Sequence, residues 1–234
     1  MDTIADNLQG VKSRIRGACE RAGRDPRDIV LVAVSKTFPA DEIRAAHAAG
    51  QRCFGESYVQ EALGKIEALA DLDLEWHFIG PIQSNKTREI AAHFDWVHSI
   101  ERLKIAERLS AQRPAERGPL DVLVQVNISG EATKSGVVPG DLAPLARAVA
   151  KLPNLRLRGL MAIPEPTGDT ALAKTRFEAV RALKEALCAE GLALDTLSMG
   201  MTGDLEAAIA AGATMVRVGT AIFGERHRET KGSG

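Results

Sequence analysis

Short apolar runs alternate with stretches of helical period along the whole chain. β-Branched and apolar residues cluster at 29–35, 51–54, 74–79, 94–98, 121–128, 155–162, 194–199 and 214–218, which predicts eight strands. Between them the pattern predicts helices, among them 41–49, 57–70, 84–93 and 171–190. Start and stop signals agree. Pro39 precedes Asp41 and Glu42, Ser84 precedes its helix, Asp204 and Glu206 open another, and Gly50 and Gly191 stand at ends. Runs such as 29–34 and 121–126 are apolar on both faces, as a parallel sheet covered by helices requires. Eight such units in 234 residues, near the ~250 typical of the fold, predict an α/β chain of (β/α)8 TIM-barrel form. A doubly wound open sheet is the alternative, because spacing alone does not establish closure.

The chain opens with Ile4, Leu8, Val11, Ile15 and Ala18 on one helical stripe. This predicts an extra N-terminal helix within residues 1–23, placed to plug one end of the barrel. The whole of 1–234 reads as a single barrel domain with a tail at 224–234 that ends in the small residues Gly232-Ser233-Gly234.

Charge and cysteine usage narrow the partners. The net charge of −1 provides no bulk field to hold nucleic acid or an anionic membrane. No apolar stretch is long enough to span a bilayer, and the acidic start is unlike a signal peptide. Cys19, Cys53 and Cys188 are far apart, with neither metal spacing nor a disulfide framework. A cytoplasmic monomer without a metal is expected.

In such barrels the chemistry gathers at the C-terminal ends of the strands. Reading those ends gives Lys36, Glu56, Ser57, His77, Ser99, Asn127, Met161, Ser198 and Arg217. They contain no carboxylate pair and no serine triad. The last two strands run into Ser198-Met199-Gly200-Met201-Thr202-Gly203-Asp204 and Arg217-Val218-Gly219-Thr220. Glycine-punctuated turns there can aim backbone N–H groups at an anion, or serve only as tight turns. Arg217 stands inside an apolar run and needs a partner, either a structural ion pair or a ligand. Lys36 follows the first run, as a solvated strand-end amine or as a nucleophile. An amine, a guanidinium and a phosphate site together suit pyridoxal 5′-phosphate (PLP), with the lysine as Schiff-base anchor and the arginine at the ring nitrogen.

At these residues the chain resembles, over nearly its whole length, the YggS/PROSC family of pyridoxal-phosphate-binding homeostasis proteins. The matching stretches begin with Ala33-Val34-Ser35-Lys36-Thr37, Phe54-Gly55-Glu56-Ser57-Tyr58-Val59-Gln60-Glu61 and Trp76-His77-Phe78-Ile79-Gly80-Pro81-Ile82-Gln83-Ser84-Asn85-Lys86. They continue with Val126-Asn127-Ile128-Ser129-Gly130-Glu131, Arg158-Gly159-Leu160-Met161, Ser198-Met199-Gly200-Met201 and Val216-Arg217-Val218-Gly219-Thr220. The resemblance implies a barrel like the N-terminal domain of alanine racemase, with the cofactor on Lys36, Arg217 facing its ring nitrogen, and Ser198, Gly219 and Thr220 helping to hold its phosphate. Thr202, Asn127, Ser57 and His77 complete the expected cofactor-binding set. Ser57 stands where the family usually has Asn, Thr202 where it usually has Ser, and Lys134 is a second amine in a family motif.

The implied function is to carry or buffer PLP for vitamin B6 homeostasis without turnover, apo PLP-dependent enzymes being the expected recipients. Two enzyme readings stand beside it. Amino-acid racemisation needs a second base that alanine racemase takes from a tyrosine on another domain, whereas Tyr58 follows strand two. A Schiff-base phosphosugar aldolase also suits a barrel with a lysine and phosphate loops, but gives Arg217 no ring nitrogen to meet.

Overall fold

The computed structural model describes residues 3–129 and 135–225, so Lys134 and the tail from 226 onward lie outside the described residues. Eight parallel strands form a closed barrel in chain order. They are β1 (Val30–Val34), β2 (Cys53–Glu56), β3 (Glu75–Phe78), β4 (Trp96–Ile100), β5 (Leu120–Val126), β6 (Leu155–Ala162), β7 (Thr196–Ser198) and β8 (Met215–Val218). Closure is direct: Val30, Leu31, Val32 and Ala33 of β1 pair with Met215, Val216, Arg217 and Val218 of β8. The open-sheet alternative is thereby ruled out.

The helices are α1 (Ile4–Ala22), α2 (Ala40–Ala48), α3 (Val59–Ala68), α4 (Thr87–His93), α5 (Leu103–Gln112), α6 (Pro139–Val149), α7 (Thr170–Ala189), α8 (Leu205–Ala210) and α9 (Thr220–Phe223). Outward strand residues and inward helix faces share one apolar layer, with Phe54, Phe78, Phe94 and Phe177 at 0–1% exposure. A smaller cluster of Val32, Trp96, Leu123, Met161 and Met215 fills the barrel itself. Beside it lie four buried polar side chains, His77, His98, Ser198 and Arg217.

Strand limits differ from the sequence pattern where a side chain or a helix end takes over the backbone partners. Gln51 was expected in a strand, but its amide donates to the Leu31 and Cys53 carbonyls, and β2 begins only at Cys53. The predicted strand at 94–98 begins at Trp96 instead, because Phe94 donates back to Ile90 and closes α4. Lys36 lies past the end of β1, in the turn that follows it.

The opening helix is not a plug. α1 packs against α2, α8 and α9 on the outside of the barrel, burying Leu8, Val11, Ile15, Ala18 and Cys19. The reason is local: the helix after β8 has only four residues, and α1 fills the place in the outer ring that it leaves. Asn7 Nδ2 donates to the Ile222 carbonyl at 3.0 Å, and Arg24 Nη1 to Ile209 and Ala213 at 2.8 and 2.7 Å. Thr3 and Asp6 form a capping box at its start, and Gly23, at φ 64°, ends it in the left-handed cap.

Candidate functional site

At the C-terminal ends of the strands a cavity of about 260 Å³ is lined by Lys36, Ser57, Thr202, Arg217, Gly219 and Thr220, with Phe38, Ile79 and Ile163 as apolar walls. Six expected residues thus meet around one space. His77, Asn127 and Ser198 do not line it.

The turn carrying Lys36 is held from below. Thr37 has φ 70°, a left-handed conformation that strains a β-branched residue and costs roughly 1–3 kcal/mol. Its N–H donates to Glu61 Oε1 at 2.5 Å. Lys65 reaches the same place from α3, donating to the Ser35 carbonyl at 2.8 Å, Glu56 Oε1 at 2.8 Å and Glu61 Oε1 at 2.5 Å. These three bonds use all three ammonium protons. Ser35 Oγ adds a bond to Glu56 Oε1 at 2.7 Å. Burial raises the Glu56 carboxyl pKa, against the pull of the Lys65 charge, and Glu56 Oε2 is buried without a hydrogen-bond partner. A buried ion-pair cluster therefore fixes the backbone on both sides of Lys36.

Two glycines bring the loops together. A Cβ on Gly80 would sit 2.4 Å from the Ser57 carbonyl oxygen, so the loop after β3 lies directly against the Ser57 backbone. A Cβ on Gly219 would stand 3.1 Å from the Val34 carbonyl oxygen, which keeps the loop after β8 beside the strand leading to Lys36. Phe38 and Phe223 stack across the same seam with ring centroids 5.1 Å apart.

Arg217 points into the barrel at 3% exposure. Its Nη1 donates to Ser198 Oγ at 2.6 Å and its Nη2 to the Ala162 carbonyl at 3.0 Å. Burial lowers its pKa to about 10, which leaves it cationic at neutral pH. Ser198 is thus engaged beneath the cavity, by Arg217 and by His98 Nδ1 at 2.9 Å. His98 Nε2 lies 2.9 Å from His77 Nδ1, and His77 Nε2 lies 2.8 Å from Glu75 Oε1. His77, expected at the site, instead stands inside the barrel with Trp96 stacked on its ring at 5.6 Å.

The direction of this line follows from its ends. A guanidinium only donates and a carboxylate only accepts. The His77 bond holds the Glu75 pKa below its ordinary value, while burial, His77 and Arg217 hold that of His98 well below its own. With neutral imidazoles, Arg217 donates to Ser198, Ser198 to His98, His98 to His77, and His77 Nε2–H to Glu75. Each hop uses one donor and one acceptor.

Sequence reasoning missed Lys65 and the His77–His98 pair. Lys65 announced itself as a lysine on the apolar face of α3, between Ala62 and Leu69 and four residues after Glu61. The histidines are inward positions on neighbouring strands, visible only once strand register is known. Asn127 sits at the end of β5, its N–H bonded to the Val137 carbonyl at 2.9 Å.

Comparison with known proteins matches this architecture. A family model described as alanine racemase, N-terminal domain, covers residues 2–227. The chain is 64% identical over 226 residues to a pyridoxal phosphate homeostasis protein of Pseudomonas aeruginosa, across 97% of each chain. It is 55% identical over 239 residues to one of Escherichia coli K12, across 99% of this chain and 100% of that one. Among solved structures, PipY of Synechococcus elongatus PCC7942 with PLP bound is similar at a TM-score of 0.84 and 38% identity, covering 95% of this chain and 100% of that chain. Alanine racemase from Corynebacterium glutamicum shares the fold at a TM-score of 0.70 and 18% identity, across 93% of this chain and 62% of that one. With its barrel, motifs and relatives in agreement, the chain belongs to the YggS/PROSC family of pyridoxal phosphate homeostasis proteins, on the alanine racemase N-terminal barrel.

Proposed function

We propose that this chain binds PLP in the cavity between Lys36 and Arg217 and carries or buffers it for intracellular B6 homeostasis, without turnover of its own. The observation that carries the reading is one cavity lined by both a lysine amine and a buried guanidinium, with Thr202, Gly219 and Thr220 on its wall. That donor set fits the cofactor: an amine for an aldehyde, a fixed cation for a ring acceptor, hydroxyls and glycine turns for a phosphate. PLP supplies an electrophilic carbonyl and an electron-accepting ring when bound. Lys36 is the residue to capture the carbonyl as a Schiff base, on a turn that the Glu56–Lys65–Glu61 cluster keeps in place.

Arg217 is the residue that would meet the ring nitrogen. Its guanidinium retains its proton at neutral pH, so it would disfavour protonation of that nitrogen and leave the ring a weaker electron sink. Negligible racemase and transaminase turnover follows. Tyr58, 53% exposed, stands at the N-cap of α3 and its side chain makes no cap hydrogen bond there. Apo PLP-dependent enzymes are the proposed recipients, and a cytoplasmic monomer the proposed form. Among the described residues, no helix is long and apolar enough to cross a membrane.

The test is an absorbance spectrum of the purified protein, followed by borohydride reduction and peptide mass mapping. A visible-range band with phosphopyridoxyl mass on Lys36 is expected. A protein that stays colourless and unlabelled after added PLP overturns the reading and moves the aldolase to the front. Steady conversion of L- to D-alanine by protein freed of contaminating racemase overturns the carrier role alone.

A further inference from the structure

At the opposite end of the barrel, β2 and β3 begin side by side with Cys53 paired to Glu75. His77 lies two residues along β3 on the same side of the strand. Cys53 Sγ, Glu75 Oε1 and His77 Nε2 all lie within 4.8 Å of one another. Sγ is 3.4 Å and Nε2 is 2.8 Å from the shared Oε1. Tetrahedral zinc, with bonds of about 2.3 Å to sulfur and about 2.0–2.2 Å to nitrogen and oxygen, places such atoms roughly 3.3–3.6 Å apart. The three side chains are within a small adjustment of that arrangement.

Two further observations point the same way. His77 Nδ1 is already held by His98 Nε2 at 2.9 Å, the kind of outer partner that orients a metal-binding imidazole. Cys53 and Glu75 also line a separate cavity of about 440 Å³ that gives solvent and an ion a way in. The acidic groups facing it, Asp73, Asp95 and Asp121, are each paired with an arginine, namely Arg52, Arg117 and Arg156. Among these facing carboxylates, Glu75 alone is paired with an imidazole rather than an arginine.

We propose that Cys53, Glu75 and His77 form a three-ligand site for a divalent cation of the zinc class at the base of the barrel, with water as the fourth ligand. This site does not depend on the PLP reading. On binding, the Cys53 S–H bond breaks, a sulfur–metal bond forms, and one proton leaves to solvent, while Glu75 brings its existing negative charge. His77 Nε2 gives its lone pair to the metal, so the ring proton resides on Nδ1. The hydrogen-bond line then reverses: His77 donates to His98, and His98 Nδ1–H donates to Ser198, which now accepts from both His98 and Arg217. Occupancy at the base is in this way felt at the wall of the cavity on the far side.

The experiment uses full-length protein stripped with chelator and freed of bound cofactor. It is titrated with Zn²⁺ in a calorimeter and with Co²⁺ in a spectrophotometer. One equivalent at micromolar affinity or tighter is expected, with a thiolate-to-cobalt charge-transfer band. The band vanishes in Cys53→Ala and stays in Cys188→Ala, and affinity drops at least tenfold in Glu75→Gln. Alkylation mapped by peptide mass on the wild-type protein provides a readout free of folding effects, since zinc slows modification of Cys53 but not of Cys188. Absence of the band, or alkylation of Cys53 at one rate with and without zinc, overturns the site.

Discussion

Arg217 and Glu75 stand at opposite ends of the barrel interior and are joined by three side chains, Ser198, His98 and His77, in one unbroken line of hydrogen bonds. A cation at the cofactor end is thus linked to a carboxylate at the base through a hydroxyl and two imidazoles. The middle of the line sits among Trp96, Met161 and Met215, where an unpaired polar atom has no water to turn to. His77, His98 and Ser198, all fully buried, are therefore committed to their neighbours.

Replacing His98 by Leu removes the central link and leaves Ser198 and His77 each short of a partner. A loss of roughly 1–3 kcal/mol per orphaned group is expected in urea unfolding. PLP affinity falls with it, because Ser198, which accepts from Arg217, loses the partner that fixes its hydroxyl. Fluorescence titration of the variant checks this, and His98→Gln, which can keep one of the two bonds, retains more affinity than His98→Leu.

Stability should depend on pH through the same residue. The folded pKa of His98 lies well below 6.5, its ordinary value, so the unfolded chain binds the extra proton first as pH falls. Its contribution is complete above about pH 6.5 and is lost on acidification below it, at about 1.4 kcal/mol per pH unit. Urea midpoints measured from pH 7.5 to 5.5 should decline, and more shallowly in His98→Gln. A flat profile in the wild-type protein would overturn the assignment of this loss to His98.

Lys65→Met leaves Glu56 buried without its cation and unties the turn below Lys36. Breaking one partner of a buried pair costs about 3–5 kcal/mol. The double variant Lys65→Met/Glu56→Gln should recover a large part of that loss. Its rate of PLP capture, followed by absorbance, stays slow even where stability returns, because the bond to the Ser35 carbonyl is still missing.

Gly80→Ala forces a Cβ to within 2.4 Å of the Ser57 backbone oxygen. Backbone cannot step aside as a side chain does, so the loop after β3 must move. A drop of several degrees in Tm and weaker PLP binding are expected, since Ser57 lines the cavity. Gly64→Ala, inside α3 where an added Cβ meets nothing within 4 Å, serves as the control that loses no stability.

The barrel was legible in the sequence because two-sided burial leaves a continuous apolar run, and helices declare themselves by period and caps. Lys36, Arg217 and the glycine turns were legible because chemistry at a strand end has few structural excuses. What escaped was set by register. Whether His77 faces the mouth or the interior depends on where β3 begins, and its partner His98 comes from a strand whose start lay two residues later than the pattern suggested. Ser198 was read as a ligand contact, yet its hydroxyl is taken by two neighbours that no local pattern foretells. The place of α1 was hidden for a similar reason, since it depends on how short α9 is.

That placement of α1 shapes how the chain reaches its native state. Asn7 and Ile222 are 215 positions apart, and the β1–β8 seam beside them is nearly as distant. Ring completion is therefore among the costliest contacts in loop entropy and belongs late in folding. Until then the stripe from Leu8 to Cys19 has, of its helical neighbours α2, α8 and α9, only α2 to cover it. A chain interrupted before α8 would present that stripe to other molecules, and self-association of such fragments is the natural hazard of a barrel sealed by its two ends.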